Sequence, residues 1–446
     1  MIKNFKFWLM LLMSVLLLSV IAGCSSDDDS NAKADANADK KDNSKQEEAT
    51  TDKDEEITIR WAHQWGADHF WNGIGKDLEE KFPNITIEVQ EAGTDHPDDL
   101  EKLIAAKKSP DIVSMGVLTH TNFLNDLGLA YKMDDLIKES NFDLDRLEPS
   151  IVQYARNQDP NKEDGLYIIP NARPTWSLHY NKDVFDTLGV EYPTDGMTWE
   201  EVLELAKVLT REVGGVQYRG FDLDVPYDAY TQFSQSSIDP DTNEVLITES
   251  EAYRRFLEFV GDVVAIPGNY PTENPESLLH NWGSLFGEGN IAMAADKTNW
   301  MDAENIGIVT YPVWEGYEGL NPVPNGGAYA ITEPSEHKEA AMEIISYLLS
   351  DEYQTKVSRA GGASVLVNPE IHEVFGQDNP SLENKNTASL FKNEYATGPV
   401  KRAAYGDGVL WTAPIEFIKS GKDINEFLRI LQEQAEENVR TAIESE

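Results

Sequence analysis

Cysteine is almost absent from this chain: Cys24 is the only one in 446 residues. An internal disulfide is therefore excluded, as is a cysteine nucleophile within the folded part. The fold must be held by burial alone, and the chain is long enough for that. Positive charge is also scarce, with 37 Lys and Arg against 79 Asp and Glu and a formal net charge of −42. Such an excess repels phosphate backbones and excludes a nucleic-acid binder. The acids are spread along the whole chain, which reads as a solubility adaptation. No HExxH, GxSxG, Walker A or GxGxxG pattern occurs. The eight His show no metal-ligand spacing; His63 and His69 flank a loop without a Cys or carboxylate in register. No cofactor or metal is expected. A glycosidase carboxylate pair stays open, because no pair is singled out among so many acids. Residues 25–56 lack any aromatic and any aliphatic larger than Ala. They cannot bury enough apolar surface to offset their conformational entropy, so they are expected to form a tether reaching roughly 30 Å.

What is present begins with a secretory signal. Lys3 and Lys6 precede an apolar stretch from Phe7 to Ile21, closed by Ala22, Gly23 and Cys24. The stretch is short for a spanning helix, which takes about 20 residues, and its C-terminal flank is acidic. An uncleaved anchor helix is the alternative. Ile21-Ala22-Gly23-Cys24 resembles the lipobox of bacterial lipoproteins. That resemblance implies lipidation of Cys24, removal of residues 1–23 and attachment to a membrane through acyl chains.

From Ile57 onward the pattern is that of a folded protein. Ile57-Thr58-Ile59-Arg60-Trp61 and Ile85-Thr86-Ile87-Glu88-Val89 alternate as strands, and Asp111-Ile112-Val113-Ser114-Met115 is a third. Helical spacing separates them: Ile74, Leu78 and Phe82, then Leu100, Leu103 and Ile104. Strand, helix, strand, helix, strand predicts an α/β region with a parallel sheet. Tyr167-Ile168-Ile169-Pro170 opens a second region. Thr198 followed by Glu201 is a capping box ahead of the stripe Val202, Leu205, Ala206 and Leu209. Helices are predicted over 256–264 and 338–349, and at Phe427, Leu428, Leu431 and Ala435. Asp239-Pro240-Asp241-Thr242-Asn243-Glu244 superficially resembles the start of a calcium loop. Glu244 stands where Gly is needed and Ser250 where Glu is needed, so a turn before a strand at 245–248 is the competing reading.

The tryptophans bear on ligand chemistry. Trp61, Trp65, Trp71, Trp176, Trp199, Trp282, Trp300, Trp314 and Trp411 follow the signal, and several sit beside turn residues. Flat aromatic faces give a large contact area at little entropic cost and suit the C–H faces of sugar rings. Trp61, Trp199 and Trp282 are expected in the core.

Three stretches carry a wider resemblance, over roughly residues 57–446. The first is Leu166–Pro170, Trp176–Phe185 with its Tyr180-Asn181-Lys182-Asp183 run, and Thr198-Trp199-Glu200-Glu201. The second is Phe286–Met293 leading to Trp300. The third is Gly326–Ile331 with the helix 338–349 and Ser350–Gln354. In these the chain resembles the extracellular solute-binding proteins of ABC importers, in the group of maltose-binding protein. The resemblance implies a type II periplasmic-binding-protein-like α/β fold of two lobes joined by a multi-crossing hinge. The N-terminal lobe would comprise 57–170 plus 312–363 and the C-terminal lobe 171–311 plus 364–446, with crossings near Pro170–Arg173, Tyr311–Pro312 and Gly362–Val365. It also implies a monomer working with permease subunits on the outer face of a Gram-positive cell membrane. The ligand would be a carbohydrate, with a peptide, polyamine or other polar solute as the alternative; a surface glycosidase and an adhesion or sensor lipoprotein are the readings outside transport.

Carried over residue by residue, the resemblance places Gln64, Trp65 and Asp68 after the first strand and Thr119, His120 and Asn122 after the third. It adds Arg173, Trp176 and Tyr180 at the crossing, Trp300 as a stacking aromatic, Asn325 and Gly326 facing the cleft, and Tyr405 with Trp411. For Arg173 two readings remain: a bidentate partner for a uronic acid, or a hydroxyl-binding or interlobe ion-paired residue.

Overall fold

Ile59, Trp61 and His63 alternate with Thr58 and Arg60 along the first strand and are buried while Thr58 is exposed. In the computed structural model the described residues are 56–90, 97–116, 121–223, 226–273, 286, 289–297, 304–399 and 408–445, all within the unit from Asp54 to Glu446. Cys24 with the signal and tether, Trp282, Thr119, His120, Trp300 and Tyr405 lie outside them. Asn122 and Trp411 are placed by backbone alone, on the helices Thr121–Asp126 and Gly408–Ser420.

Twelve strands run through the described residues: β1 Ile57–His63, β2 Ile85–Gln90, β3 Ile112–Met115, β4 Ile169–Pro170, β5 Trp176–Asn181, β6 Arg211–Val213, β7 Val216–Tyr218, β8 Met293–Lys297, β9 Ile306–Thr310, β10 Leu320–Asn321, β11 Ala328–Ile331 and β12 Glu394–Tyr395. The first sheet has the order β2-β1-β3-β11-β4 and the second β8-β5-β9; β6 with β7 and β10 with β12 form small pairs. The three strands expected from alternation pair in parallel. The sheet they start is mixed, because β11 returns antiparallel to both β3 and β4. Ala328–Ile331 is apolar throughout and fully buried, so its sequence carries no alternation from which direction could be read.

The capping box forms as expected. Thr198 Oγ1 accepts from Glu201 N at 3.1 Å, and Glu201 Oε2 accepts from Thr198 N at 2.9 Å, at the start of helix Trp199–Leu209. Thr198→Ala is expected to cost about 1 kcal/mol of stability, read from urea melts; a loss below a few tenths would show that the cap contributes nothing.

Residues 239–244 form a hairpin turn. Asp239 Oδ1 accepts from Asp241 N (2.9 Å) and Thr242 N (2.8 Å), Asn243 is left-handed at φ 61°, and Ile238 bridges Val245. The strand expected over 245–248 reduces to that single bridge. The carboxylate that would lead a calcium loop is committed to its own turn.

Contacts show which sheet the later segments stay with. Residues 311–320 stay with the second sheet: Val313 bridges Thr198, and the Trp314 indole N–H donates to Ala229 O at 2.8 Å. The chain re-enters the first sheet through 322–327. Residues 365–378 stay with the first sheet's surroundings, since Val365 O accepts from Glu148 N, Leu366 bridges Leu147 and Arg359 pairs with Asp378. Only at 382–392 do contacts shift to the second sheet, with Leu382 and Leu390 packed on Ile308 and Lys392 on Asp195.

Candidate functional site

The parallel strands β1, β2 and β3 end at His63, Gln90 and Met115, and in open α/β sheets ligands sit beyond the carboxyl ends of the strands. Register brings the rest of the hinge to that edge. Met115 lies opposite Ala328, and Ala328 opposite Pro170, so the crossing 171–175 departs from the same end. It delivers Trp176 opposite Lys297, the end of β8 in the second sheet. The return 322–327 runs beside it: Asn171 N donates to Gly327 O at 3.0 Å. A side chain at Gly326 would press on the crossing segment, since a Cβ there would lie 3.1 Å from Pro174 Cδ and 3.3 Å from Ala172 O.

At the end of β1, Gly66 (φ 76°) turns the chain into helix Gly66–Phe70. That turn leaves Trp65 58% exposed, the most exposed large hydrophobic residue among those described. Its indole meets His63 edge-on at 5.7 Å and His69 at 5.0 Å. His63 Nε2 and His69 Nδ1 are 2.9 Å apart with the rings stacked. Burial, then the neighbouring His69, lowers the His63 pKa to about 4, so at neutral pH this ring is uncharged. Asp68 is exposed on the same turn, and Gln64 is half-buried with its amide over Gly116, where a Cβ would come within 2.5 Å of Oε1. Gln64, Trp65 and Asp68 are thus brought together at a strand end.

Across the hinge the expected residues separate into different roles. Trp176 is 1% exposed; its indole N–H donates to Asp228 Oδ2 at 3.1 Å, and its ring lies 5.9 Å from Tyr395. It is a hinge-core residue and offers no open stacking face in this arrangement. Lys297 Nζ sits 3.7 Å from Asp228 Oδ2, donates to Asn325 O at 3.4 Å and lies 5.8 Å over Trp176. Asn325 Oδ1 is buried with no hydrogen-bond partner among the described residues, which leaves it able to accept from a ligand hydroxyl or water.

Arg173 is engaged by protein. Its guanidinium, 15% exposed, lies 3.5 Å from Glu148 Oε2 and against the rings of Phe391 (5.4 Å) and Tyr395 (5.7 Å), while Tyr395 O–H donates to Pro174 O at 2.6 Å. The pairing with Glu148 ties the crossing segment to the first lobe. Tyr180 is at the far end of β5, opposite Gly307, packed on Phe185 and Tyr192; the structure does not bring it to the other candidates. Asp228, Lys297, Glu148, Phe391 and Tyr395 were missed. Only contacts between residues far apart in the chain bring them together.

A family model described as bacterial extracellular solute-binding protein matches residues 65–355. A putative binding protein of Brucella abortus (strain 2308) is 24% identical over 325 residues, spanning 66% of this chain and 71% of that protein. An sn-glycerol-3-phosphate-binding periplasmic protein of Rhizobium meliloti (strain 1021) is 22% identical over 357 residues, spanning 70% and 79%. Among solved structures, an ABC substrate-binding protein of Listeria monocytogenes in complex with cycloalternan superposes with a TM-score of 0.66 at 20% identity, covering 87% of this chain and 99% of that one. The sugar-binding protein MalE of Xanthomonas citri superposes equally well, at 0.66 and 19%, covering 87% and 100%. These superpositions give the fold: two α/β lobes.

Proposed function

Because the chain belongs to the bacterial extracellular solute-binding protein family, we propose that it captures a carbohydrate, an oligosaccharide, in its cleft and presents it to the permease of an ABC importer. The observation that carries this reading is the exposed Trp65 indole at the end of β1, buttressed by an uncharged His63 and flanked by Gln64 and Asp68. An apolar face beside hydroxyl-binding amide and carboxylate groups is the chemistry a sugar ring presents in complement. The family is one of binding proteins and not of enzymes. The lobes are proposed as 57–170 with 328–378, and 176–320 with 382–445, following the strand and loop contacts. Lipidation of Cys24 and a tether over 25–56 hold the monomeric domain at the outer face of the membrane that carries its permease.

A thermal-shift screen of oligosaccharides, monosaccharides, sn-glycerol 3-phosphate, peptides and polyamines tests the ligand class, since a ligand of the folded state raises the melting temperature. Oligosaccharides alone are expected to raise it; a shift with peptides or polyamines only would overturn the carbohydrate reading. Trp65→Ala is expected to weaken oligosaccharide binding at least tenfold in calorimetry, a loss of about 1.4 kcal/mol or more, while leaving the melting temperature of the free protein in place. Unaltered affinity would remove Trp65 from the site.

A further inference from the structure

Contacts also join the two proposed lobes through the loops at Asp159 and Asp239. On the first lobe, Asp159 is buried and caps its own loop, accepting from Asn161 N (2.7 Å), Glu163 N (2.9 Å) and Gly165 N (2.7 Å). On the second, the Asp239 hairpin is capped in the same manner and fixed to the C-terminal helix by Gln432, whose Nε2 donates to Val245 O at 2.7 Å. Lys162 bridges the two loops: its Nζ donates to Pro240 O, and its charge acts on the Asp239 carboxylate. Nearby, Asn157 Nδ2 donates to Pro399 O at 3.2 Å, and the Tyr154 ring approaches Gly398 so closely that a Cβ there would lie 2.9 Å from it.

The side of the hinge on which this contact lies follows from strand direction. Strand β4 runs parallel to β3, so the chain just before it approaches from the start of the strands. Leu166, at the end of the Asp159 loop, accepts from Met133 N at 2.8 Å. Three residues before Met133, Ala130 bridges Thr332, just past Ile331, which lies opposite Ile112 at the start of β3. The Asp159 loop is therefore at the strand-start side, opposite the strand ends where His63 and Met115 border the cleft. When two lobes rotate about a hinge, contacts opposite the cleft are made as the cleft opens and broken as it closes.

We propose that Lys162 is a latch of the open cleft, tying the Asp159 loop to the Pro240 carbonyl and so opposing closure without touching ligand. Both loops are pre-organised by their capping aspartates, so the tie costs little ordering. A ligand closing the lobes must overcome it, and the apparent affinity scales with the population of the closed form. The inference rests on the cleft-binding function proposed above. Its test uses the full chain in detergent, with Lys162→Met and Lys162→Arg, and calorimetry with maltotriose and mannotriose as probes. Lys162 is exposed, so neither variant is expected to disturb folding. Losing one net hydrogen bond corresponds to a change of about threefold to tenfold. The methionine variant is expected to bind both sugars more tightly by one common factor of about threefold, and the arginine variant like the wild type. Unchanged or weaker binding, or unequal factors for the two sugars, would overturn the latch. If neither sugar binds the wild type, those two trisaccharides are excluded as ligands and the carbohydrate reading is left to the thermal-shift screen. Melts of the ligand-free chain then decide the latch: a folding constant about threefold lower in Lys162→Met, with Lys162→Arg like the wild type, supports it, and unchanged stability overturns it.

Discussion

Replacing Trp199 by alanine is expected to destabilise the folded protein by about 3–5 kcal/mol, the range for removing a fully buried large aromatic side chain. Trp199 is completely buried at the centre of the second lobe's aromatic cluster. It meets Phe221, Phe259 and Tyr311 edge-on at centroid distances of 6.2, 5.0 and 5.3 Å, and Trp314 at 5.6 Å. Its indole N–H donates to Gln232 Oε1 at 3.0 Å, and Gln232 Nε2 in turn donates to Pro312 O and Leu320 O. Truncation therefore opens a cavity and also leaves the buried Gln232 oxygen without that donor, a second cost of about 1–3 kcal/mol if no water replaces it. Trp199→Phe keeps most of the volume, and the gap between the two variants separates packing from hydrogen bonding. Urea melts monitored by circular dichroism measure both; a loss below 2 kcal/mol for the alanine variant would mean that the cluster repacks.

The second large effect is a loss of stability in acid. His179 is fully buried in β5, with Nε2 3.2 Å from Ser177 Oγ. Burial, opposed by a backbone hydrogen bond to Ala294 and reinforced by the charge of Lys385, lowers its pKa from 6.5 to about 4. The folded protein thus binds this proton less readily than the unfolded chain. Above pH 6.5 neither state is protonated and the full stability is present. Between pH 6.5 and pH 4 only the unfolded chain takes up the proton, so stability falls as pH falls, by about 2 kcal/mol between pH 7 and pH 5 for this one group. The carboxylates contribute their own pH dependence, so the comparison is with His179→Gln. The variant is expected to start less stable at pH 7 and to lose less on acidification, by about 2 kcal/mol. Parallel pH profiles for variant and wild type would show that His179 does not titrate in this way.

Much of the fold was legible because burial imprints a period. Ile57–Trp61 and Ile85–Val89 alternate because each strand has one exposed and one covered face, and the parallel pairing of β1, β2 and β3 follows from the helices between them. The Thr198–Glu201 cap was legible because its donors and acceptors lie within one helical turn. Trp61 and Trp199 fall in the core as expected, and Trp65 beside Gly66 is exposed as a turn aromatic should be. The burial of Trp176 was not legible: Asp228, fifty-two residues away, accepts its indole N–H, and Tyr395 and Lys297 lie against its ring.

The sequence alone determined that the chain is highly acidic with one cysteine, that a basic start, an apolar stretch and Ala22-Gly23-Cys24 stand at its beginning, and that an α/β fold follows. Those properties are local: they depend on composition and on neighbours a few residues apart. Tertiary structure alone decided which sheet each later segment packs on, the antiparallel course of β11, the pairing of Arg173 with Glu148 and the meeting of Lys162 with Pro240. Each of these joins residues dozens to hundreds of positions apart, and no local periodicity records a partner that far along the chain. The aromatic group at the end of β1 stands between the two cases. Its residues are close in sequence, but the sheet edge it shares with the crossing segments depends on β3 and β11 bringing Met115 and Ala328 together.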